Sequence, residues 1–272
     1  MYNQLPIVMT ASVSTRGMKG ADFSDVEREK MYLETLEYYL RDFSGRKIVF
    51  VENSGWDLVA FKTKVKVAAT ALARVEFLSL DPDEFDVSKG KGYNELQMIS
   101  KAILRSSAIR ATGAFMKVTG RYPIYNLGYY LERGEHYLFG KGYHYYGDIK
   151  DHKVFDFLFP NNTKKWNGHA AYTVLFATTV DFYMTNLGPR YVDCYDYDYN
   201  FVENVWFKVL KPYRGKADSK VQLRFRREPI CGGLQGSNAQ TIGFSKSNQS
   251  IKAKVARLVG NCIRWFMPWF WF

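Results

Sequence analysis

Short apolar, β-prone runs alternate with helical spacings over the first 120 residues, and this alternation constrains the fold more than any other feature of the chain. Residues 5–13, 47–51, 75–80 and 114–119 read as strands. Between them a Ser24-Asp-Val-Glu27 capping box opens a helix running to about residue 40. A helical or irregular stretch follows over 58–73, and a second helix over 94–107. Strands and helices in that order predict an α/β fold with a mostly parallel central sheet covered on both faces. In such sheets ligands sit beyond the carboxyl ends of the strands. Those ends carry Thr10, Ser12 and Arg16 after the first strand, Glu52 after the second, and Lys117 and Arg121 around the end of the fourth.

Beyond residue 120 the pattern weakens. Residues 137–159 are dense in Tyr, Phe and Gly and read as short strands, 173–181 as a further buried strand, and 200–211 as a helix. The expected organisation is one catalytic body over residues 1–227, a flexible loop over 228–248 rich in Gly, Ser, Asn and Gln, and a tail over 249–272. With 47% hydrophobic and 17% aromatic residues the chain has ample material for a core. Cys194, Cys231 and Cys262 are odd in number and far apart, which points to free thiols in a reducing compartment. The N-terminus has no signal-peptide pattern, and no run reaches the roughly 18 apolar residues of a spanning helix.

Charge is unevenly placed. Residues 1–207 balance at 25 basic and 25 acidic side chains, whereas 208–272 hold 13 basic against Asp218 and Glu228 alone. The net +11 is therefore a property of the last quarter. Residues 249–272 place Lys252, Lys254, Arg257 and Arg264 among aromatic and aliphatic residues, with no acid. That pattern predicts a basic amphipathic helix at an anionic membrane surface. The competing reading has the aromatics completing the core or an oligomer interface.

Three constellations carry chemistry. Lys117-Val-Thr-Gly-Arg121-Tyr places a point charge and a planar fork at a strand end, a pair suited to a diphosphate. Its alternative is an ion pair neutralising nearby carboxylates. Lys89-Gly-Lys91-Gly-Tyr-Asn-Glu is glycine-rich and basic and leads into a helix, so its amides point to an anion; its alternative is a solvent loop. Asp193-Cys-Tyr-Asp196-Tyr-Asp198 supplies carboxylates for deprotonating a hydroxyl, as does Asp181; the alternative is a solvent-facing Tyr-rich loop. His136, His144, His152 and His169 lack metal-ligand spacing, and Ser12 and Ser54 lack a triad partner.

Taken in order, Glu52-Asn-Ser-Gly, Lys89-Gly-Lys-Gly-Tyr-Asn-Glu and Lys117-Val-Thr-Gly-Arg-Tyr resemble a group of bacterial glycosyltransferases encoded in capsule and O-antigen clusters. The resemblance implies a GT-A-like fold, a nucleotide-diphosphate sugar donor and a lipid-linked glycan acceptor. It also implies a cytoplasmic enzyme peripheral on the inner membrane. Donor-binding residues would be Thr10, Ser12, Arg16, Glu52, Lys89, Lys91, Lys117 and Arg121; Asp181, Asp196 and Asp198 would be catalytic or acceptor-side. Such enzymes usually hold a divalent metal with Asp-x-Asp near the position of Lys117 and Arg121. The expectation here is that these cations take over its role, with no cofactor required and a divalent metal left possible. Residues 232–237 would close over the donor. The rival readings are a nucleic-acid-binding protein, disfavoured by the clustering of aromatics at the C-terminus, and a non-catalytic membrane scaffold.

Overall fold

The computed structural model describes residues 3–17, 23–151, 169–196, 200–232 and 251–266. Its strands are β1 (Ile7–Ala11), β2 (Ile48–Glu52), β3 (Val75–Ser79), β4 (Ala114–Thr119), β5 (Tyr145–Tyr146), β6 (Ile149–Asp151), β7 (His169–Ala171), β8 (Leu175–Thr179) and β9 (Val221–Gln222). Its principal helices are α1 (Asp25–Asp42), α2 (Leu58–Lys64), α3 (Ala69–Leu72), α4 (Lys91–Arg105), α5 (Ser107–Thr112), α6 (Leu127–Glu135), α7 (Val202–Leu210) and α8 (Ile251–Phe266).

The α/β architecture read from the sequence is present. Seven strands form one sheet in the order β3-β2-β1-β4-β8-β5-β9, while β6 and β7 make a separate antiparallel ribbon. β1 pairs in parallel with β2 and β4, so Ala11, Glu52 and Thr119 end at one edge. Every residue of β1 and β2 is buried, including Thr10 and Glu52, as expected for mostly apolar strands in a sheet covered on both faces. Ile7, Met9, Ile48, Phe50 and Met116 pack under α1 and α6; Val8, Val49, Val51, Phe115 and Phe176 pack under α4 and α7. The Ser24 hydroxyl accepts the Glu27 amide and the Glu27 carboxylate accepts the Ser24 amide, closing the capping box that starts α1.

Four features depart from the sequence reading. β8 runs antiparallel between β4 and β5, a direction that no local pattern encodes. In the Tyr-rich stretch only β5 and β6 are strands among the described residues, because residues 136–140 continue α6 as a wider helical turn. The start of the expected loop is held in place: the Ile230 amide donates to Asn126 Oδ1 at 2.8 Å and the Gly232 amide to the Pro123 carbonyl at 2.9 Å. The rest of that loop, from 233 to 250, lies outside the described residues, as do 267–272. Finally, α8 is tied to the body through Arg264, whose Nη1 lies 2.8 Å from Asp148 Oδ2. No helix among the described residues is long and apolar enough to cross a membrane.

Candidate active site

The edge formed by the carboxyl ends of β1, β2 and β4 gathers most of the residues singled out in the sequence, and many of them serve one another. Glu52 is fully buried and acts as a hub. Its carboxylate accepts the Ser54 amide at 2.9 and 3.0 Å, the Trp56 amide at 3.1 Å and the Val13 amide at 3.2 Å. It thus fastens the loop after β1 to the loop after β2. Ser12 Oγ donates to Asn53 Oδ1 at 2.5 Å, and the Ser12 amide donates to the Tyr32 hydroxyl at 3.1 Å. Arg16, in left-handed backbone at φ 50°, donates to the Pro82 carbonyl and lies 3.7 Å from Asp83, so its guanidinium bridges to the loop after β3.

One layer inward, Lys117 is 1% exposed. Its ammonium sits 2.8 Å from Glu95 Oε1 and donates to the Thr173 carbonyl at 2.8 Å. Thr10 Oγ1 donates to the same Glu95 oxygen at 2.8 Å. Lys117 is therefore engaged inside the fold, in an ion pair that is buried rather than on the surface.

Arg121 has a different setting. Gly120 passes so close to β1 that an added Cβ would stand 2.6 Å from the Thr10 carbonyl and 3.0 Å from the Tyr32 ring, so only glycine fits there. The turn this permits leaves Arg121 Nη1 buried with no hydrogen-bond partner among the described residues. Arg28, on the inner side of α1, donates its Nε to the Ser12 and Val13 carbonyls, each at 3.0 Å. Burial lowers the Arg28 pKa, and the like charge of Arg121 lowers it further. Arg28 and Arg121 therefore place two like charges near one another, and Arg121 Nη1 is a buried donor with no acceptor among the described residues.

The glycine-rich motif does face an anion, supplied by the chain itself. The Lys91 amide at the start of α4 donates to Asp196 Oδ2 at 2.6 Å, which explains why the helix begins three residues earlier than its apolar spacing predicts. Gly90 adopts φ 95°, and an added Cβ there would meet the Asp196 side chain at 2.6 Å. Lys89 lies over the Tyr195 ring at 5.3 Å. Asp196 thus joins the two motifs. Asp198 lies outside the described residues. Asp181 is exposed just past the end of β8, and Thr179 of that strand is paired with Ala114 at the start of β4. The antiparallel course of β8 therefore puts Asp181 at the opposite edge of the sheet from Arg121.

Sequence reasoning did not give site roles to Arg28, Glu95 or Glu203. The first was legible as a charge in line with Tyr32 and Leu36 on the buried face of α1. Glu203, in the first turn of α7, accepts from Thr173 Oγ1 at 3.3 Å. Burial raises the Asp196 pKa against the pull of the Lys91 and Gly92 amides; burial and the charges of Glu95 and Asp196 raise that of Glu203. A carboxylate with a raised folded pKa stabilises the fold at low pH, and that contribution disappears as pH rises through the folded value. Glu203→Gln, which stays neutral, is accordingly expected to melt above the parent protein at pH 8, with the gap closing toward pH 4. A melting series at both pH values measures this, and a gap that widens in acid contradicts the assignment.

Among the described residues no group of three or more His, Cys, Asp or Glu side chains is arranged to hold a metal ion. No family model and no curated protein matches the sequence. Among solved structures, the chain is similar to the galactosyltransferase LgtC in complex with donor and acceptor sugar analogs, at 8% identity and a TM-score of 0.44, covering 82% of this chain and 74% of that one. It is similar to the mannosyltransferase Ktr4p from S. cerevisiae at 11% identity and a TM-score of 0.45, covering 85% and 73%. It is also similar to the bifunctional glycosyltransferase WbbM at 9% identity and a TM-score of 0.39, covering 81% of this chain and 38% of that one.

Proposed function

We propose that this chain is a glycosyltransferase that moves a sugar from a nucleoside-diphosphate sugar to a lipid-linked glycan in bacterial surface polysaccharide synthesis. The observation that carries the reading is the Nη1 of Arg121, buried beside Arg28 with no partner among the described residues, at the carboxyl edge of a mostly parallel sheet. When the bond from the sugar to the diphosphate breaks, negative charge grows on the leaving oxygen. A guanidinium fixed in place before the reaction stabilises that charge without reorganising. Thr10, Ser12 and the loop pinned by Glu52 line the nucleotide side in this reading. Asp196, with a carboxylate of raised proton affinity, is the base candidate for the acceptor hydroxyl.

A thermal-shift screen against uridine, guanosine and thymidine diphosphate sugars tests the reading. Binding to the folded state alone stabilises by about 2.7 kcal/mol at a ligand concentration of 100 times Kd. At least one donor is expected to raise the melting temperature, and silence across the whole series would remove the donor site. Arg121 and Arg28 also supply the charge that a divalent metal gives in related chemistry. Transfer is therefore expected to persist after exhaustive chelation; activity that vanishes with chelator and returns with manganese or magnesium would refute that part.

A further inference from the structure

Helix α8 is amphipathic in the reverse of the usual sense. A helix on a water-soluble body turns its apolar face inward. Here the inward contacts among the described side chains are polar. Arg264 is 8% exposed, pairs with Asp148 and donates to the Phe225 carbonyl at 3.1 Å. Asn261 Oδ1 accepts the Glu228 amide at 3.0 Å, and Gly260 is buried against the Glu228 side chain. Val255, Leu258, Val259 and Phe266 point outward instead, Leu258 at 63% exposure and Phe266 at 77%. Positions 255, 259, 262 and 266 recur at helical spacing, so they form one stripe. A stripe of this kind marks a surface that meets a partner.

We infer that the partner is an anionic lipid bilayer, and that the Arg264–Asp148 pair sets how the body faces it. Charge selects this occupant. Residues 251–266 contain no acid, and Lys254 is exposed beside the stripe. Arg226 lies over the ring of Trp265 at 4.6 Å, adding a cation at the far end. Such a face attracts an anionic leaflet. Against a second copy of itself it would set cation against cation, because residues 251–266 supply no acid.

The topology adds orientation. β4 and β5 both run antiparallel to β8, so they are parallel to each other and end at the same edge. Asp148 lies two residues beyond β5. The buried arginine therefore docks α8 at the edge of the sheet that carries Arg121. A bilayer held by α8 borders the candidate site, which is where a lipid-borne acceptor would arrive. The bilayer contact rests on α8 alone; that the bilayer presents the acceptor rests on the sugar-transfer reading.

The test is co-sedimentation of the full chain with phosphatidylcholine vesicles, with and without phosphatidylglycerol, alongside sedimentation velocity without lipid. Binding to the anionic vesicles, weakened by salt and by Lys254→Glu, is expected. Leu258→Asp with Val255→Asp, both on the exposed face, should lower partitioning about tenfold or more. Unchanged melting and an unchanged donor thermal shift in that variant would show that body and donor site are intact. Absence of binding, or equal binding by the double variant, overturns the inference whether or not donors bind. So does a dimer that the double variant dissociates without any change in vesicle binding, which would make the stripe a self-interface.

Discussion

Replacing Lys117 by methionine is expected to destabilise the fold by about 3 kcal/mol, because removing one member of a buried ion pair strands the other. Methionine keeps the length of the side chain, so the loss is electrostatic rather than a cavity. Among the described residues the Glu95 carboxylate would retain only the Thr10 hydroxyl, and the Thr173 carbonyl would lose the Lys117 donor. Lys117 is 1% exposed and Glu95 26%, so water reaches one partner and the low end of the usual range applies. For a chain of this size the melting temperature should fall by roughly 6–10 °C. The double variant Lys117→Met with Glu95→Gln should recover most of that loss, since no unpaired charge remains. A diphosphate-binding lysine would behave otherwise: its loss would leave melting nearly unchanged and weaken the donor. Melting and donor titration on the same variant separate the two roles.

That contrast shows what the sequence could and could not convey. Lys117 and Arg121 stand four residues apart in one motif and look equivalent on paper. Strand geometry divides them. Lys117 lies within β4 and is engaged beneath α4, whereas Arg121 lies past the strand end, where Gly120 turns the chain. The parallel core was legible because β1, β2 and β4 are buried on both faces and so read as mostly apolar runs, with Thr10, Glu52 and Lys117 among the polar exceptions. The place of β8 was not, since strand direction depends on a connection whose path no local propensity fixes. That direction is what puts Asp181 at the opposite edge of the sheet from Arg121. The glycine-rich motif was read as facing the phosphates of a donor, whereas its Lys91 amide meets Asp196, 105 residues further on. The basic tail was legible as amphipathic. Which face turned inward depended on Asp148, a distant residue that no helical periodicity could reveal.

Arg121→Gln is expected to lower transfer by about 10²–10³-fold while leaving the fold as stable as before or more so. The two effects have one cause. Arg28 and Arg121 repel one another, and Arg121 Nη1 has no acceptor among the described residues to offset its burial. Removing that charge relieves Arg28, whose bonds to the Ser12 and Val13 carbonyls keep it in place. A site residue that is strained without its ligand gains stability when deleted, at the expense of activity. Arg121→Lys keeps the charge but not the fork, so it should fall between glutamine and arginine in rate. The nucleoside-diphosphate thermal shift should be lost in Arg121→Gln and partly kept in Arg121→Lys. Activity near the parent level in the glutamine variant would mean that the leaving diphosphate is stabilised elsewhere. A melting temperature far below the parent would mean that Arg121 holds the loop together rather than the substrate.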